Sequence, residues 1–264
     1  MKVLMHGLLR NLNFKWLLVL LPFMANIGRA DQVLANTLEK IKPGIVAVGT
    51  YMPKRNPRAV FFGTGFAVGD GSVIVTNAHV IPPKLDAEHL EQLAVFFRRG
   101  GASKAVLARE LALDKDHDLA ILKLSEGQLP PVKLGDVSSV REGQLYAFTG
   151  YPIGMILGLY PVTHRGIISA ISPVVIPMLK SEQLNAKLLK RLKEPYDVFQ
   201  LDATAYPGNS GSPLYDIDTG EVIGVINKVF VQESKENVLS KPSGITYAIP
   251  VNYVEILMKS KVMN

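Results

Sequence analysis

The sequence contains no cysteine, and this absence excludes three kinds of chemistry. No disulfide can brace the fold, no thiolate can bind zinc, and no cysteine nucleophile is available. A chain of 264 residues can bury enough core without disulfides, so an oxidising compartment outside the cytoplasm is compatible with the composition. The sequence also lacks a phosphate-binding loop, a cofactor motif and a cluster of metal ligands, and we therefore predict no metal and no cofactor.

The N-terminal apolar stretch falls short of the ~20 residues that a membrane-spanning helix requires. It covers Trp16–Met24 and is broken by Pro22. Basic residues precede it, and the small residues Gly28 and Ala30 follow it, which is the order found in a secretory signal peptide. We expect residues 1–30 to be a cleaved signal peptide and the mature protein to be periplasmic or secreted. The alternative is a membrane anchor formed by an uncleaved N-terminal segment.

Little net charge remains once this segment is set aside. The formal net charge is +6, but four of these charges belong to basic residues of the signal segment, which contains no acidic residue: Lys2, Arg10, Lys15 and Arg29. The high isoelectric point is therefore poor evidence for binding to nucleic acid, and we predict no such partner.

Short β-type segments dominate the chain from Ile45 to Ile249. Glycine-rich turns such as Gly69-Asp70-Gly71 separate them, which predicts a β-barrel or a β-sandwich. Before them, Asp31–Lys42 has apolar residues at helical spacing and predicts a short amphipathic helix. Met178–Lys193 combines leucines at helical spacing with an excess of basic residues, which predicts a helical loop insertion able to contact a membrane surface.

The strongest chemical signal is the segment Pro207–Pro213, which reads PGNSGSP between two β-type segments. A serine hydroxyl needs a base to become a nucleophile, and the oxyanion that it creates needs hydrogen-bond donors. Gly208 allows a turn in which its own N–H and that of Ser210 point to one spot. We predict that Ser210 is a nucleophile and that Gly208 and Ser210 form an oxyanion hole. An ordinary β-turn of glycine, serine and asparagine is the alternative.

Two further segments can complete a catalytic triad. An apolar segment ends in small residues and His79, which can act as a base and then as an acid. Asp118 immediately precedes another apolar segment and can orient the imidazole through its second nitrogen. Asp114 and Asp116 are alternatives for this acid, but their polar neighbours, together with His117, indicate a solvated turn.

These residues belong to a series of short motifs that extends along nearly the whole chain. The motifs include Gly63-Thr64-Gly65-Phe66, Thr76–Val80, Gly150–Gly154 and Arg165–Ala170. Together with the order His, Asp, Ser, they resemble the trypsin-like serine proteases, and most closely the HtrA/Deg-type bacterial proteases. The resemblance implies an all-β fold of two perpendicular six-stranded antiparallel barrels, with short helices. It would place His79 and Asp118 in an N-terminal barrel, residues 31–135, and Ser210 in a C-terminal barrel, residues 136–264.

Three features depart from the resemblance. HtrA-type proteases usually carry a C-terminal PDZ domain, whereas only a short tail follows Pro250, so we expect no such domain. Ser212 replaces the usual second glycine after the nucleophile, as in the glutamyl-endopeptidase branch of the fold. Met178–Lys193 lies where HtrA-type proteases place an activation loop, although a solvated helix is the plainer interpretation.

The resemblance also suggests the walls of a substrate pocket. Thr204 stands where relatives that cleave after Lys or Arg have an acid, so a basic substrate side chain would be desolvated without a partner. Cleavage after Lys or Arg is therefore not expected. Lys228 could favour an acidic side chain or extend into solvent. We predict that the pocket residues are Thr204, Ala205, Tyr206, Ile226, Asn227 and Lys228.

The sequence as a whole predicts an exported serine endopeptidase that hydrolyses polypeptides through an acyl-enzyme, with a possible role in envelope protein quality control. The alternative is a non-catalytic binding or holdase module that retains the protease fold. The complete triad and Gly208 favour the enzyme, because a pseudoenzyme has no chemical need for them. The sequence makes no prediction of oligomeric state.

Overall fold

Twelve antiparallel strands form two closed six-stranded barrels in the computed structural model, which describes residues 27–152, 158–174, 195–227 and 244–262. This result confirms the predicted all-β, double-barrel fold. The first barrel contains β1 (Ile45–Tyr51), β2 (Ala59–Val68), β3 (Val73–Asn77), β4 (Gln92–Arg99), β5 (Ala102–Asp114) and β6 (Leu119–Leu124). The second contains β7 (Leu145–Gly150), β8 (Val162–Pro173), β9 (Asp197–Asp202), β10 (Pro213–Asp216), β11 (Val222–Asn227) and β12 (Ile245–Pro250).

The two barrels have the same strand order. In the first, the neighbours run β1, β2, β3, β6, β5, β4, and the barrel closes where β4 pairs with β1. In the second, they run β7, β8, β9, β12, β11, β10, and the barrel closes where β10 pairs with β7. Closure leaves no unpaired strand edge in either barrel. The third strand of each barrel is therefore followed in the chain by a connection that leaves the barrel wall.

Successive side chains of a strand point to opposite faces of the sheet, and here both faces of β1 are buried in apolar clusters. On β1, Ile45 and Ala47 belong to one apolar cluster, whereas Val46 and Val48 belong to another. The first of these clusters also contains residues of the second barrel, among them Tyr215. The two barrels consequently share a continuous apolar interface.

Two helices flank the barrels in the described ranges. Helix α1 (Ile27–Ile41) begins four residues before the predicted amphipathic segment Asp31–Lys42 and ends one residue before its end. Its apolar stripe packs against the core through Leu34, Leu38 and Ile41. The helix ends where Pro43 enters a 3₁₀ turn, because proline has no N–H with which to continue the helical hydrogen bonds.

Helix α2 (Asn252–Val262) corrects the expectation of a plain C-terminal tail. Val254 and Leu257 are buried against the shared core at helical spacing. The apolar pattern of this short segment therefore specifies an element of the fold.

Some predictions fall outside the described residues. They concern most of the signal segment, the insertion Met178–Lys193 and the pocket residue Lys228. Within the described ranges, no helix has the length and apolar character needed to span a bilayer.

Two buried tyrosines make the free energy of unfolding depend on pH in the alkaline range. Tyr151 Oη donates to the carbonyl of Ile45 at 3.2 Å, and Tyr215 Oη lies 2.7 Å from Thr149 Oγ1. Burial raises the pKa of each tyrosine to about 12, above its ordinary value near 10. Their contribution to the free energy of unfolding is therefore complete below pH 10. It is lost as the pH rises towards 12, because the same tyrosines ionise at lower pH in the unfolded chain.

We predict that Tyr215→Phe removes part of this pH dependence. Between pH 10 and 12 the wild type should lose up to about 3 kcal/mol more free energy of unfolding than the variant, at about 1.4 kcal/mol per pH unit. Urea unfolding across this interval measures the difference. Tyr160→Phe is the control, since Tyr160 is exposed. Equal pH dependence of wild type and Tyr215→Phe would contradict the prediction.

Candidate active site

His79 and Asp118 meet at the ends of two neighbouring strands of the first barrel. Asn77 at the end of β3 pairs with Leu119 at the start of β6, so the residues beyond this pair lie side by side. Nδ1 of His79 lies 2.6 Å from Oδ2 of Asp118, and the backbone N–H of His79 donates to Oδ1 at 2.9 Å. This geometry orients the imidazole and leaves its Nε2 facing away from the carboxylate.

The backbone of Asp118 is held as firmly as its side chain. Its φ angle is 55°, in the left-handed region that aspartate tolerates better than most residues. Its carbonyl accepts hydrogen bonds from the N–H of Ala78 and from Nδ2 of Asn77, both at 3.0 Å. The turn before β6 therefore points the carboxylate at His79.

The second barrel also reaches Asp118. Nδ2 of Asn227, at the end of β11, donates to Oδ2 of Asp118 at 2.7 Å, and Asn227 is fully buried. We predicted Asn227 as a pocket residue; its amide contacts the Asp118 carboxylate, and its contact with substrate stays a prediction. The carboxylate of Asp118 thus accepts N–H groups from both barrels.

Ser210 lies on the connection between β9 and β10 and is buried. A Cβ built on Gly63 would lie within 2.8 Å of both the carbonyl oxygen of Ser210 and a methyl group of Val80, the neighbour of His79. The structure therefore brings the turns that carry Ser210 and His79 close to Gly63. Within the described residues, the Ser210 hydroxyl makes no hydrogen bond to the imidazole. Such bonds are often long in a substrate-free enzyme and tighten when substrate binds.

Two backbone N–H groups beside Ser210 are available to an anion. Asn209 donates its N–H to the carbonyl of Tyr206 at 3.0 Å, which forms a tight turn. The N–H groups of Gly208 and Ser210, on either side, have no acceptor in the described part of the chain. They are the two donors that the sequence suggested for an oxyanion hole.

Gly211 allows this turn to approach the first barrel. Its φ angle is 86°, and a Cβ on it would lie 2.0 Å from the carbonyl oxygen of Thr64. Any side chain at this position would be strained and would also collide with β2. The N–H of Gly211 donates to the carbonyl of Ile226 at 2.9 Å, which ties the turn to β11 as well.

Thr64 on β2 joins the two barrels at the same place, and sequence reasoning missed its role. Its Oγ1 donates to the carbonyl of Gly208 at 2.7 Å and accepts the N–H of Tyr151 at 2.9 Å. Its own N–H donates to the carbonyl of Ser210 at 2.8 Å. The available signal was a threonine between two glycines in a strand, since glycine in a strand often marks the close approach of another backbone.

The other predicted pocket residues differ in exposure. Thr204 and Tyr206 are partly buried, whereas Ala205 and Ile226 lie in the core cluster of the second barrel. Their contact with substrate remains a prediction. Ser212 is fully buried, and its N–H donates to the carbonyl of Asn209 at 3.0 Å. Ser212 thus belongs to the turn that carries Ser210.

The expectation that Asp114 and His117 lie in a solvated turn is wrong. Nδ1 of His117 lies 2.6 Å from Oδ2 of Asp114, and the His117 ring stacks on Tyr253 with ring centroids 4.2 Å apart. Burial opposes the ionisation of Asp114, but hydrogen bonds from His117 outweigh it and hold its pKa below the ordinary value. The polar neighbours suggested solvent, whereas aromatic residues distant in sequence cover the turn. Asp114 is thus engaged by His117, and Asp118 is the carboxylate on His79.

Comparison with known proteins identifies similar chains. The family model described as a trypsin-like peptidase domain matches residues 63–225. A probable periplasmic serine endoprotease, DegP-like, from Halomonas elongata is 33% identical over 190 residues, covering 72% of this chain and 33% of its own. The human serine protease HTRA4 is 31% identical over 232 residues, covering 86% of this chain and 41% of its own. The chain therefore spans a third to two-fifths of the length of these curated relatives.

Solved structures show the same similarity. The HtrA-type protease AlgW with a decapeptide has a TM-score of 0.63 and 25% identity, over 88% of this chain and 68% of that chain. The same protease with a tripeptide has a TM-score of 0.60 and 26% identity, over 86% and 62% of the respective chains.

The contacts of Thr64 predict the effect of removing its hydroxyl. Thr64→Val keeps the shape but leaves the N–H of Tyr151 and the carbonyl of Gly208 without their partner, at about 1–3 kcal/mol for each buried group. We expect the Gly208 peptide to shift and the rate of Ser210 labelling by a fluorophosphonate probe to fall about 10-fold or more.

Thr64→Ser is the matched control, because serine retains the hydroxyl. It should keep most of the labelling rate and lose less stability in a thermal unfolding measurement. Labelling of Thr64→Val at the wild-type rate would show that the hydroxyl does not hold Gly208.

Proposed function

The chain belongs to the trypsin-like peptidase family, and from this premise we propose that it is a serine endopeptidase with the triad Ser210, His79 and Asp118. The observation that supports the proposal most directly is the 2.6 Å contact between His79 Nδ1 and Asp118 Oδ2. This contact supports a tautomer with the proton on Nδ1, in which Nε2 acts as the base. The similarity to DegP-like and HtrA-type proteases supports the same reaction class.

In the proposed reaction, Nε2 of His79 takes the proton of Ser210 Oγ while this oxygen attacks the substrate carbonyl. The resulting oxyanion accepts hydrogen bonds from the N–H groups of Gly208 and Ser210. The protonated imidazole, stabilised by Asp118, then gives its proton to the departing amine and leaves an acyl-enzyme on Ser210. Water activated by His79 hydrolyses this ester and restores the hydroxyl.

We propose polypeptide substrates in which the residue before the cleaved bond is neither lysine nor arginine. Thr204 offers no negative charge, and a buried cation without a partner is costly. The AlgW structures are of that protease with a tripeptide and with a decapeptide, which supports a peptide substrate here. Cleavage profiling with a peptide library would identify the preferred residue.

We further propose that the protein is exported, by cleavage after Ala30, and acts in envelope protein quality control. The order of basic, apolar and small residues in 1–30 supports export, as does the similarity to a probable periplasmic endoprotease. Sequencing the N-terminus of the mature protein tests the cleavage site. Binding of the mature protein to anionic vesicles tests membrane contact through Met178–Lys193.

Removing the nucleophile should abolish the reaction and spare the fold. Ser210→Ala should lower kcat on casein by about 10⁶-fold, as expected when a triad loses its serine. A fluorophosphonate probe should label the wild type but not the variant. Casein cleavage by Ser210→Ala at a comparable rate would refute the assignment, and an unlabelled, inactive wild type would favour the binding or holdase alternative.

Neutralising the proposed triad acid should be almost as damaging. Asp118→Asn presents an amide to the imidazole and favours the wrong tautomer, which should lower kcat by about 10⁴-fold. Asp116→Asn is the matched control and should cost little, since the carboxylate on His79 Nδ1 is that of Asp118. Kinetics on one peptide substrate rank the two variants, and the reverse ranking would transfer the role to Asp116.

A further inference from the structure

The turn that carries Asp118 is organised by Asp114. Oδ1 of Asp114 accepts the N–H of Asp116 at 2.9 Å and the N–H of His117 at 3.0 Å. Its other oxygen lies 2.6 Å from Nδ1 of His117. One carboxylate thus binds both the backbone and the ring of His117, so the ring cannot turn without disturbing the loop.

Two tyrosines hold this ring from outside the first barrel. Tyr253 of α2 stacks on His117 with an interplanar angle of 21° and a centroid distance of 4.2 Å. Tyr196, just before β9, meets the same ring at 4.6 Å and 58°. The tyrosines contact each other edge to face, with centroids 5.4 Å apart. His117, Tyr196 and Tyr253 therefore form a three-ring cluster, called here the aromatic clamp.

The clamp adjoins the proposed triad acid directly. His117 precedes Asp118, whose backbone is in the left-handed conformation at φ 55°. A residue in this sparsely populated region persists only when its surroundings determine it. Asn227 binds the carboxylate of Asp118. Tyr196 and Tyr253 contact the ring of His117, the residue before Asp118. Two neighbouring residues of this turn are thus held by elements outside the first barrel.

We propose that His117, Tyr196 and Tyr253 are positioning residues, which set the place of the Asp118 carboxylate relative to His79. This inference rests on the proposed triad. The clamp does not touch the reacting atoms. It acts by preventing rotation of the turn that would withdraw Asp118 from the imidazole, and misplacement of a catalytic group by about 1 Å can cost on the order of 10²-fold in rate.

The first test compares variants of the clamp on a peptide substrate. Tyr253→Ala and His117→Ala should lower kcat about 10- to 100-fold and leave KM nearly unchanged, because the substrate site is not altered. Tyr253→Phe keeps the ring and should recover most of the wild-type kcat. Tyr253→Leu keeps apolar volume without an aromatic ring. If Tyr253→Ala folds poorly, Tyr253→Leu replaces it in the comparison and should show the same loss of kcat, about 10- to 100-fold.

His89 provides a matched control outside the clamp. It pairs with Asp86 at the same spacing and with a similar Nδ1 to Oδ2 distance, 2.7 Å, but its ring is exposed. His89→Ala should leave kcat unchanged. A loss of kcat in His89→Ala equal to that in His117→Ala would show that any such pair affects the enzyme and would overturn the proposal.

The decisive measurement is a double-mutant cycle with Asp118→Asn. If His117 acts through Asp118, adding His117→Ala to Asp118→Asn should cause little further loss of kcat. If the losses of kcat in the two single variants multiply in the double variant, the positioning role of the clamp is overturned. It is also overturned if His117→Ala lowers the melting temperature but keeps the wild-type kcat. If Asp118→Asn alone leaves kcat unchanged, the proposed triad fails. If Asp118→Asn lowers kcat and His117→Ala does not, only the clamp fails.

Discussion

The carboxylate of Asp118 is the point on which the geometry of the candidate site depends. A largely buried charge must be matched by donors, and here the donors are two N–H groups of His79 and the amide of Asn227. Two of these donors belong to the first barrel and one to the second. The same interaction therefore orients the proposed base and joins the barrels, so a displacement of one barrel would be felt at the imidazole.

Close backbone approach between the barrels near Ser210 completes the arrangement. Thr64 binds the carbonyls of Gly208 and Ser210, and Gly211 has no side chain to hold β2 away. The turn that carries Ser210 is thus shaped by a strand of the opposite barrel as well as by its own. The shared apolar core makes this docking favourable without any disulfide, which agrees with a sequence that contains no cysteine.

The strands and the proposed triad residues could be found from the sequence because their signals are local. Alternation of apolar residues marks a strand wherever it occurs, and small residues followed by a histidine or a serine mark a turn that exposes a reactive group. The contacts of Thr64, Asn227 and His117 could not be found in this way. Each depends on a partner far away in the chain. The polar neighbours of His117 give no sign that Tyr196 and Tyr253, much later in the sequence, cover its ring.

The shared strand order explains why these distant residues meet. His79 follows the third strand of the first barrel, and Ser210 follows the third strand of the second. Asp118 comes shortly after the fifth strand of the first barrel, and Asn227 ends the fifth strand of the second. Equivalent ends of two similar barrels thus contribute these four residues to the candidate site. Side chains within a closed barrel are committed to its wall and core, whereas turns at strand ends are free to present polar groups. Two barrels joined at equivalent ends therefore create a site that neither barrel contains alone.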